Sequence, residues 1–451
     1  FVNLKNKMNS LSRFAPSPTG LIHIGNARSA VLNWAYINNK KGNFILRIDD
    51  TDLERSKKEY EEKIKRDLNW LGISWNKSFN QSDRKKIYDQ SIEKLKKDNR
   101  LYPCFESQEE LSLKKKSQLT SGKPPIYDRS SLHLTEIEIK NLLQSGKKPH
   151  WRFKLENKTI EWNDLIKGKV SFESKNLSDP VLIREDETLL YHLPSVIDDI
   201  EEGVSEIIRG EDHISNTAFH IQIFEALNST IPTFGHHPFL TDENGKGFGK
   251  RLGSLSIEKL RDTGFESLTI LNYLLSVGTS SNISSETDVT KLINNYNISN
   301  ISNSSPKFSI EVLKLLNKEI LQKYTYSDVK NKFLDLGIHA NNDFWNFVKN
   351  NINFFSECLE WHNIIKTEKS FYAEDKEFLK DAADLLPKEP YTIDSWDEWI
   401  LEINKKTGKK GKDLFMPLRM ALTGKAKGPE LKFLLPLLTK NNIMKKLGVI
   451  T

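Results

Sequence analysis

The chain has 451 residues, 37 % of them hydrophobic and 28 % charged, which is ordinary for a water-soluble protein, and its length predicts two to four domains rather than one core. No apolar run approaches the roughly 20 residues that cross a bilayer, which excludes an integral helical membrane protein. Its two cysteines, Cys104 and Cys358, are far apart, which excludes a disulfide framework and suits a reducing, cytoplasmic compartment, and the net charge of +6 is modest.

Phe1 to Lys7 reads as unstructured, with Met8 as the expected start. Arg13-Phe14-Ala15 is extended, Pro16 and Pro18 forbid helix, and Gly20 lets the backbone turn. From Gly25 the residues Ala27, Ala30, Val31, Trp34, Ala35 and Ile37 recur at helical spacing up to Lys40-Lys41-Gly42. His23 and Asn26 therefore flank a helix start, where unpaired N–H groups and the helix dipole favour an anion such as a triphosphate. A glycine at 25 would permit close approach of a nucleotide.

Asn43–Ile48 reads as a buried strand ending at Asp49-Asp50-Thr51-Asp52, followed by a helix from about Ser56 to Leu71 capped by Ser56 or Asp52. Strand, helix and strand in succession imply a parallel sheet, with Arg13, His23 and Asp49 converging where the strands end. Between Tyr102 and Ser178 an insertion is expected, with an amphipathic helix near Glu109–Gln118, a Pro124-Pro125 break, a helix around Leu134–Leu143 and short strands including His150–Leu155. Cys104 alone cannot form a tetrahedral site, so no zinc is expected there and the thiol reads as a small buried hydrophobe.

The sheet is expected to resume at Pro180–Arg184 and Glu206–Arg209, with Tyr191–Ile200 helical between them. A guanidinium closing an apolar strand needs an anionic partner, so Arg209 should meet Glu211, Asp212 or a substrate carboxylate. Phe234–Leu240 is extended. The segment Gly245–Gly253 holds four glycines and three cations in nine residues, the composition of a phosphate-seeking loop. Short amphipathic helices follow to Lys323, broken by a Ser/Asn-rich stretch from Gly278 to Pro306. Beyond Tyr324 the chain reads as helical, with core stripes such as Phe344/Phe347/Val348 and Leu379/Ala383/Leu386. Residues 401–451 carry 12 Lys or Arg against 3 Asp or Glu, so a polyanion could dock at that end.

Taken in order, Arg13–Asn26, with His23-Ile24-Gly25-Asn26, then Leu46–Asp52, Tyr191-His192-Leu193, Ile208–His213, Lys250-Arg251 and Leu418–Gly424, resemble the class I aminoacyl-tRNA synthetases of the glutamyl and glutaminyl branch, and within it the glutamyl enzymes. The resemblance implies an α/β chain: a Rossmann-like catalytic domain (8–101 and 179–240) interrupted by an α+β acceptor-binding insertion (102–178), then a signature-loop and stem-contact segment (241–323) and a helical anticodon-binding domain (324–451). It implies an enzyme that forms glutamyl-adenylate from ATP with Mg2+ and passes glutamate to the terminal adenosine of tRNA(Glu). A tRNA(Gln)-charging enzyme, a glutaminyl enzyme, a tRNA-modifying paralogue and a non-enzymatic RNA-binding relative are the alternatives. By position His23, Gly25, Asn26, Lys250 and Arg251 would hold ATP, with His23, Asn26 and Lys250 catalytic. Arg13, Ser17, Asp49, Tyr191 and Arg209 would hold glutamate, and Thr51, Asp52 and Arg55 would lie at the tRNA end. Arg209, where glutaminyl relatives carry a non-basic residue, and Arg13 together favour glutamate over glutamine, since two fixed cations reward a carboxylate and leave an amide poorly matched. Two departures stand out: Gly247 and Gly249 replace a lysine and a serine of the second signature, and Lys246 could supply the missing charge. Neither tRNA-reading residues nor a membrane role follow from the resemblance, and a monomer is expected.

Overall fold

A computed structural model describes residues 10–246, 255–372 and 374–450. Two compact units emerge, the first formed by residues 1–262 and 270–309, the second by 263–269 and 310–451.

In the first unit β1 (Leu11–Phe14) leads through the Pro16/Pro18 segment into α1 (Ile24–Asn39), then β2 (Asn43–Ile48), α2 (Lys58–Trp70), β3 (Lys77–Asn80) and α3 (Lys85–Lys97). The helix boundaries of α1 follow the apolar spacing, and eleven of its sixteen residues are buried. Gly42 is required by crowding: a Cβ there would sit 2.3 Å from the Ser10 carbonyl oxygen. The cap expected for α2 is not formed. Lys57 occupies the N-cap position with no side-chain cap, because Asp52 instead accepts the Arg55 N–H in its own turn.

The insertion comprises β4 (Leu101–Cys104), α4 (Gln108–Thr120), α5 (Glu136–Gln144), β5 (His150–Phe153), β6 (Thr159–Asp164) and β7 (Gly168–Glu173). Capping boxes at Ser107/Glu110 and Thr135/Glu138 start its helices. The expected amphipathic character of α4 is not realised: none of its residues is buried, and local capping rather than a packed stripe holds it. After β8 (Val181–Ile183) come α6 (His192–Glu201), β9 (Glu206–Gly210), α7 (Ile214–Ala226) and β10 (Thr233–His237).

Strands β10-β9-β1-β2-β3 form an all-parallel sheet, with Arg13 opposite Ile45, Arg47 opposite Phe79 and His236 opposite Arg209. The order runs outward from β1 in both directions, so the chain reverses between β1 and β9, and a doubly wound sheet binds ligands at the carboxyl ends there. The Pro180–Arg184 strand departs from expectation. Val181–Ile183 does not rejoin the parallel sheet but pairs antiparallel with β5 in a separate sheet β4-β5-β8. Three residues of apolar pattern cannot by themselves choose a partner sheet. The β6–β7 hairpin forms a separate two-stranded sheet whose turn packs against β10.

The second unit is helical, from Ile310–Lys323 to Lys440–Lys446, around a core that includes Trp345, Trp399, Phe333 and Phe347. The Phe344/Phe347/Val348 and Leu379/Ala383 stripes lie in that core, with Leu386 partly buried against it. Among the described residues no helix is long and apolar enough to cross a membrane.

Candidate active site

A cavity of about 630 Å³ opens at the carboxyl ends of β1, β2 and β9. Eight residues expected from sequence line it: Arg13, Ser17, His23, Gly25, Asn26, Asp49, Tyr191 and Arg209. Lys250 and Arg251 lie outside the described residues, as do Gly247, Gly249 and Phe1 to Lys7. Thr51 lines a separate cleft of about 510 Å³ with Gln81, Tyr88 and Trp151. Asp52 accepts from Arg55 Nε at 2.7 Å on the surface, away from the main cavity.

At one end of the cavity His23 is the N-cap of α1, with φ −87° and ψ 163°. Its Nδ1 accepts the Asn26 backbone N–H at 3.3 Å, which fixes the ring's proton on Nε2 when neutral. A Cβ on Gly25 would meet the His23 ring at 3.1 Å, so the glycine lets the imidazole lie over the first turn as well as opening the cavity. The His23 backbone forms an antiparallel bridge with Ser256, and Ile257 N–H donates to the Ile22 carbonyl at 2.9 Å. The chain therefore returns to the helix start directly after residues 247–254.

Arginines and carboxylates crowd the middle. Arg13 donates through Nε and Nη2 to the two carboxylate oxygens of Asp199 at 2.9 and 3.3 Å. Arg47 donates to both oxygens of Asp49 at 2.7 and 3.1 Å, to Asp199 Oδ1 at 3.0 Å and to the Ser195 carbonyl at 3.2 Å. Arg84 lies 2.8 Å from Asp198. Three cations thus face three carboxylates in a desolvated layer, which is how buried charge is tolerated. Burial raises the Asp49 carboxyl above its usual range although the Arg47 charge opposes the shift, and burial raises Asp198 to about 6 against Arg47. Arg47, Asp198 and Asp199 were not singled out from sequence. The available signal was two adjacent acids in α6 among Leu193, Val196 and Ile197, positions that a helical wheel turns inward.

Arg209 differs. It is 6 % exposed, and its partners are neutral: Tyr191 Oη at 3.2 Å, His220 Nδ1 at 3.3 Å, Thr217 Oγ1 at 2.5 Å, His236 Nε2 at 3.4 Å and the His213 carbonyl at 3.4 Å. Neither carboxylate expected to meet it does so. Glu211 takes Lys167 Nζ at 2.7 Å, and Asp212 lies 3.6 Å from His213 Nε2. Among the described residues Arg209 has no ion pair, so only the more distant carboxylates of Asp199 and Asp212 act on its charge. Burial, with Arg13 nearby, lowers its pKa from the usual guanidinium value. Burial followed by the Arg209 charge pushes His213 down to about 3 and His192 down to about 4, so the rings beside Arg209 are neutral at pH 7.

Residues 11–315 match the family described as tRNA synthetases class I (E and Q), catalytic domain, and residues 342–450 match an anticodon binding domain. The chain is 42 % identical to glutamate–tRNA ligase 2 of Hyphomonas neptunium and 46 % identical to glutamate–tRNA ligase 2 of Bartonella tribocorum, each alignment covering 97 % of this chain and 99 % of the relative. It shares its fold with the crystal structure of a glutamate tRNA ligase from Elizabethkingia meningosepticum, at TM-score 0.85 and 24 % identity over 98 % of each chain. A cavity at the sheet's reversal point, a helix start with a histidine cap and these full-length matches agree: the chain belongs to the class I tRNA synthetases, in the glutamate–tRNA ligase family.

Proposed function

We propose that this chain activates glutamate with ATP and attaches it to the terminal adenosine of tRNA(Glu). The observation that carries the reading is Arg209, a buried guanidinium that no described carboxylate contacts, in one cavity with the His23-capped start of α1. A ligand carboxylate would compensate that charge, and an amide would leave it largely unpaired.

Chemistry of this kind needs positioning and charge neutralisation more than proton transfer. The α-carboxylate oxygen of glutamate attacks the α-phosphorus of ATP in line, and the bond to the bridging oxygen breaks to release pyrophosphate. A ribose hydroxyl of the tRNA end then attacks the carbonyl carbon and AMP leaves. Arg209, Tyr191, Arg13 and Ser17 hold the amino acid, with Asp49 toward its ammonium. His23 Nε2–H, the Asn26 side chain and the free N–H groups of the first turn of α1 hold the triphosphate, with Gly25 leaving room. Lys250 and Arg251 are assigned to the same phosphates. Magnesium would accompany the nucleotide as part of that substrate and supply charge neutralisation on its phosphates. Thr51, Asp52 and Arg55 are assigned to the incoming tRNA end, the insertion (102–178) to its acceptor arm and the helical region (324–451) to its anticodon. A monomeric protein of the cytoplasm fits this role.

Aminoacylation of purified tRNA(Glu) and tRNA(Gln) with labelled glutamate, and in parallel glutamine, tests the proposal. Glutamate incorporation into tRNA(Glu) is the expected result, and the tRNA(Gln) arm reads whether the second tRNA is also charged. Incorporation of glutamine alone, or of neither amino acid, overturns it.

A further inference from the structure

Arg209 owes its place to a chain of groups that ends on the insertion rather than on the sheet. The turn of the β6–β7 hairpin is fastened to β10: Leu165 N–H donates to the Phe234 carbonyl at 2.8 Å, and a Cβ on Gly235 would press on Leu165 Cβ at 3.3 Å. At this turn sits Asp164, whose side chain is fully buried. Its Oδ1 accepts backbone N–H groups of Ile166, Lys167 and His236, each at 3.0 Å, and its Oδ2 accepts from Trp162 Nε1 at 3.3 Å and meets His236 Nδ1 at 2.5 Å. An acceptor-only carboxylate in that position requires the proton on His236 Nδ1. Nε2 of the neutral ring is then a lone pair, and it is the atom that faces Arg209 Nε–H at 3.4 Å and Thr217 Oγ1 at 2.9 Å. A guanidinium can only donate, so the opposite tautomer would set two N–H groups against each other.

We propose, on the reading of the site as a glutamate pocket, that Asp164 is a positioning residue: by fixing the His236 tautomer it gives Arg209 a neutral acceptor, holding the guanidinium in place with its charge unspent for the substrate carboxylate. The insertion thereby sets the preference for glutamate over glutamine. The arrangement contrasts with Arg13, whose anchor Asp199 consumes its charge directly. An Asp–His pair does for Arg209 what a bare carboxylate in contact could not, because it orients without neutralising.

Two full-chain variants and a control test this. Asp164→Asn replaces the acceptor at His236 Nδ1 with an amide free to donate, which favours the other tautomer. His236→Asn keeps a donor toward Asp164 and removes the acceptor from Arg209. In both, KM for glutamate is expected to rise roughly ten- to a hundredfold, the range for losing one hydrogen bond to a charged group. The glutamate-to-glutamine preference should fall by a similar factor, while kcat at saturating glutamate and KM for ATP stay within about threefold. Ile160→Ala, a buried position of β6 outside this chain of groups, loosens the hairpin's packing and should lower the melting temperature while leaving KM for glutamate unchanged. Should Asp164→Asn fail to fold, His236→Asn decides alone. An unchanged KM in the folded variants overturns the proposal, as does a KM rise of equal size in Ile160→Ala, since that would mean packing alone. Failure of the wild-type chain to charge any tRNA with glutamate would instead overturn the glutamate reading, and is scored before any variant.

Discussion

Arg13 and Asp199 form a two-point contact at 2.9 and 3.3 Å in the same cavity wall where Arg209 has no carboxylate among the described residues. Two arginines that look equivalent in sequence therefore have opposite energetics. Arg13 is half of a buried pair, and removing one partner strands the other. Arg209 is a buried cation whose desolvation is met only by neutral acceptors, a cost that ligand binding offsets.

Exchange of each for glutamine should separate the two roles. Arg13→Gln leaves Asp199 with Arg47 alone and should destabilise the fold by about 3–5 kcal/mol, the usual cost of breaking a buried pair. Arg209→Gln should leave the melting temperature unchanged or slightly higher, while KM for glutamate rises about a hundredfold or more. Calorimetry and steady-state aminoacylation on both variants check this. A large loss of stability in Arg209→Gln would mean that the guanidinium is structural.

The histidines around Arg209 give a pH prediction. Burial first, then the Arg209 charge, holds His192 down to about 4 and His213 down to about 3, and burial with Arg28 holds His237 down to about 3. None titrates between pH 6 and 8 in the folded chain, so KM for glutamate should be flat from pH 7 to 8, above the range in which Asp198, raised by burial to about 6, takes up its proton. The unfolded chain's histidines take up protons near their ordinary value of about 6.5. Below it the unfolded state binds more protons than the native one, so stability is full above about pH 6.5 and falls as pH drops toward 4. Thermal melts from pH 8 to 5 should show that decline, and a KM for glutamate that changes between pH 7 and 8 would contradict neutral rings.

Much of the pocket was legible because its parts are local. The Pro16/Pro18 segment, the α1 periodicity and the acids after β2 are each written in consecutive residues, and a parallel sheet brings strand ends together by rule. What escaped was whatever depends on which distant elements meet. Asp164 at a hairpin turn and His236 on an edge strand are 72 positions apart, and no spacing links them. Val181–Ile183 went to the wrong sheet for the same reason, since three apolar residues satisfy either partner. The apolar strand that Arg209 closes calls for an anion there, and only the packed geometry gives Glu211 to Lys167.

Lys250 is proposed to contact the triphosphate in the transition state, and Gly247 and Gly249 precede it in sequence. Lys250→Ala should slow adenylate formation more than it weakens ATP binding, measured by pyrophosphate exchange against nucleotide titration. Equal losses in both would mean that the lysine acts on bound ATP only. Restoring a hydroxyl with Gly249→Ser should raise the activation rate, because a hydroxyl donor adds a contact to the leaving phosphates.

In the insertion, Glu106 occupies a cluster that sequence gave no reason to notice. It accepts from Ser130 Oγ and Ser131 Oγ at 2.7 Å and from Tyr127 Oη at 2.8 Å, beside the buried thiol of Cys104. Burial alone would raise its carboxyl, but the hydrogen bonds from Ser130, Ser131 and Tyr127 outweigh it and hold the group down to about 2. A depressed carboxylate contributes stability that is complete above the unfolded value near 4.3 and is lost as pH falls toward 2, here on the order of 3 kcal/mol. Glu106→Gln keeps the size and one acceptor but removes the charge that strengthens those bonds. Its melting temperature should therefore lie below wild type by a constant amount from pH 7 to 5, and the gap should narrow as the pH is lowered below about 4.5. A gap that persists undiminished to pH 3 would locate the effect in packing, and no gap at pH 7 would mean that the serines and Tyr127 hold the loop without the charge.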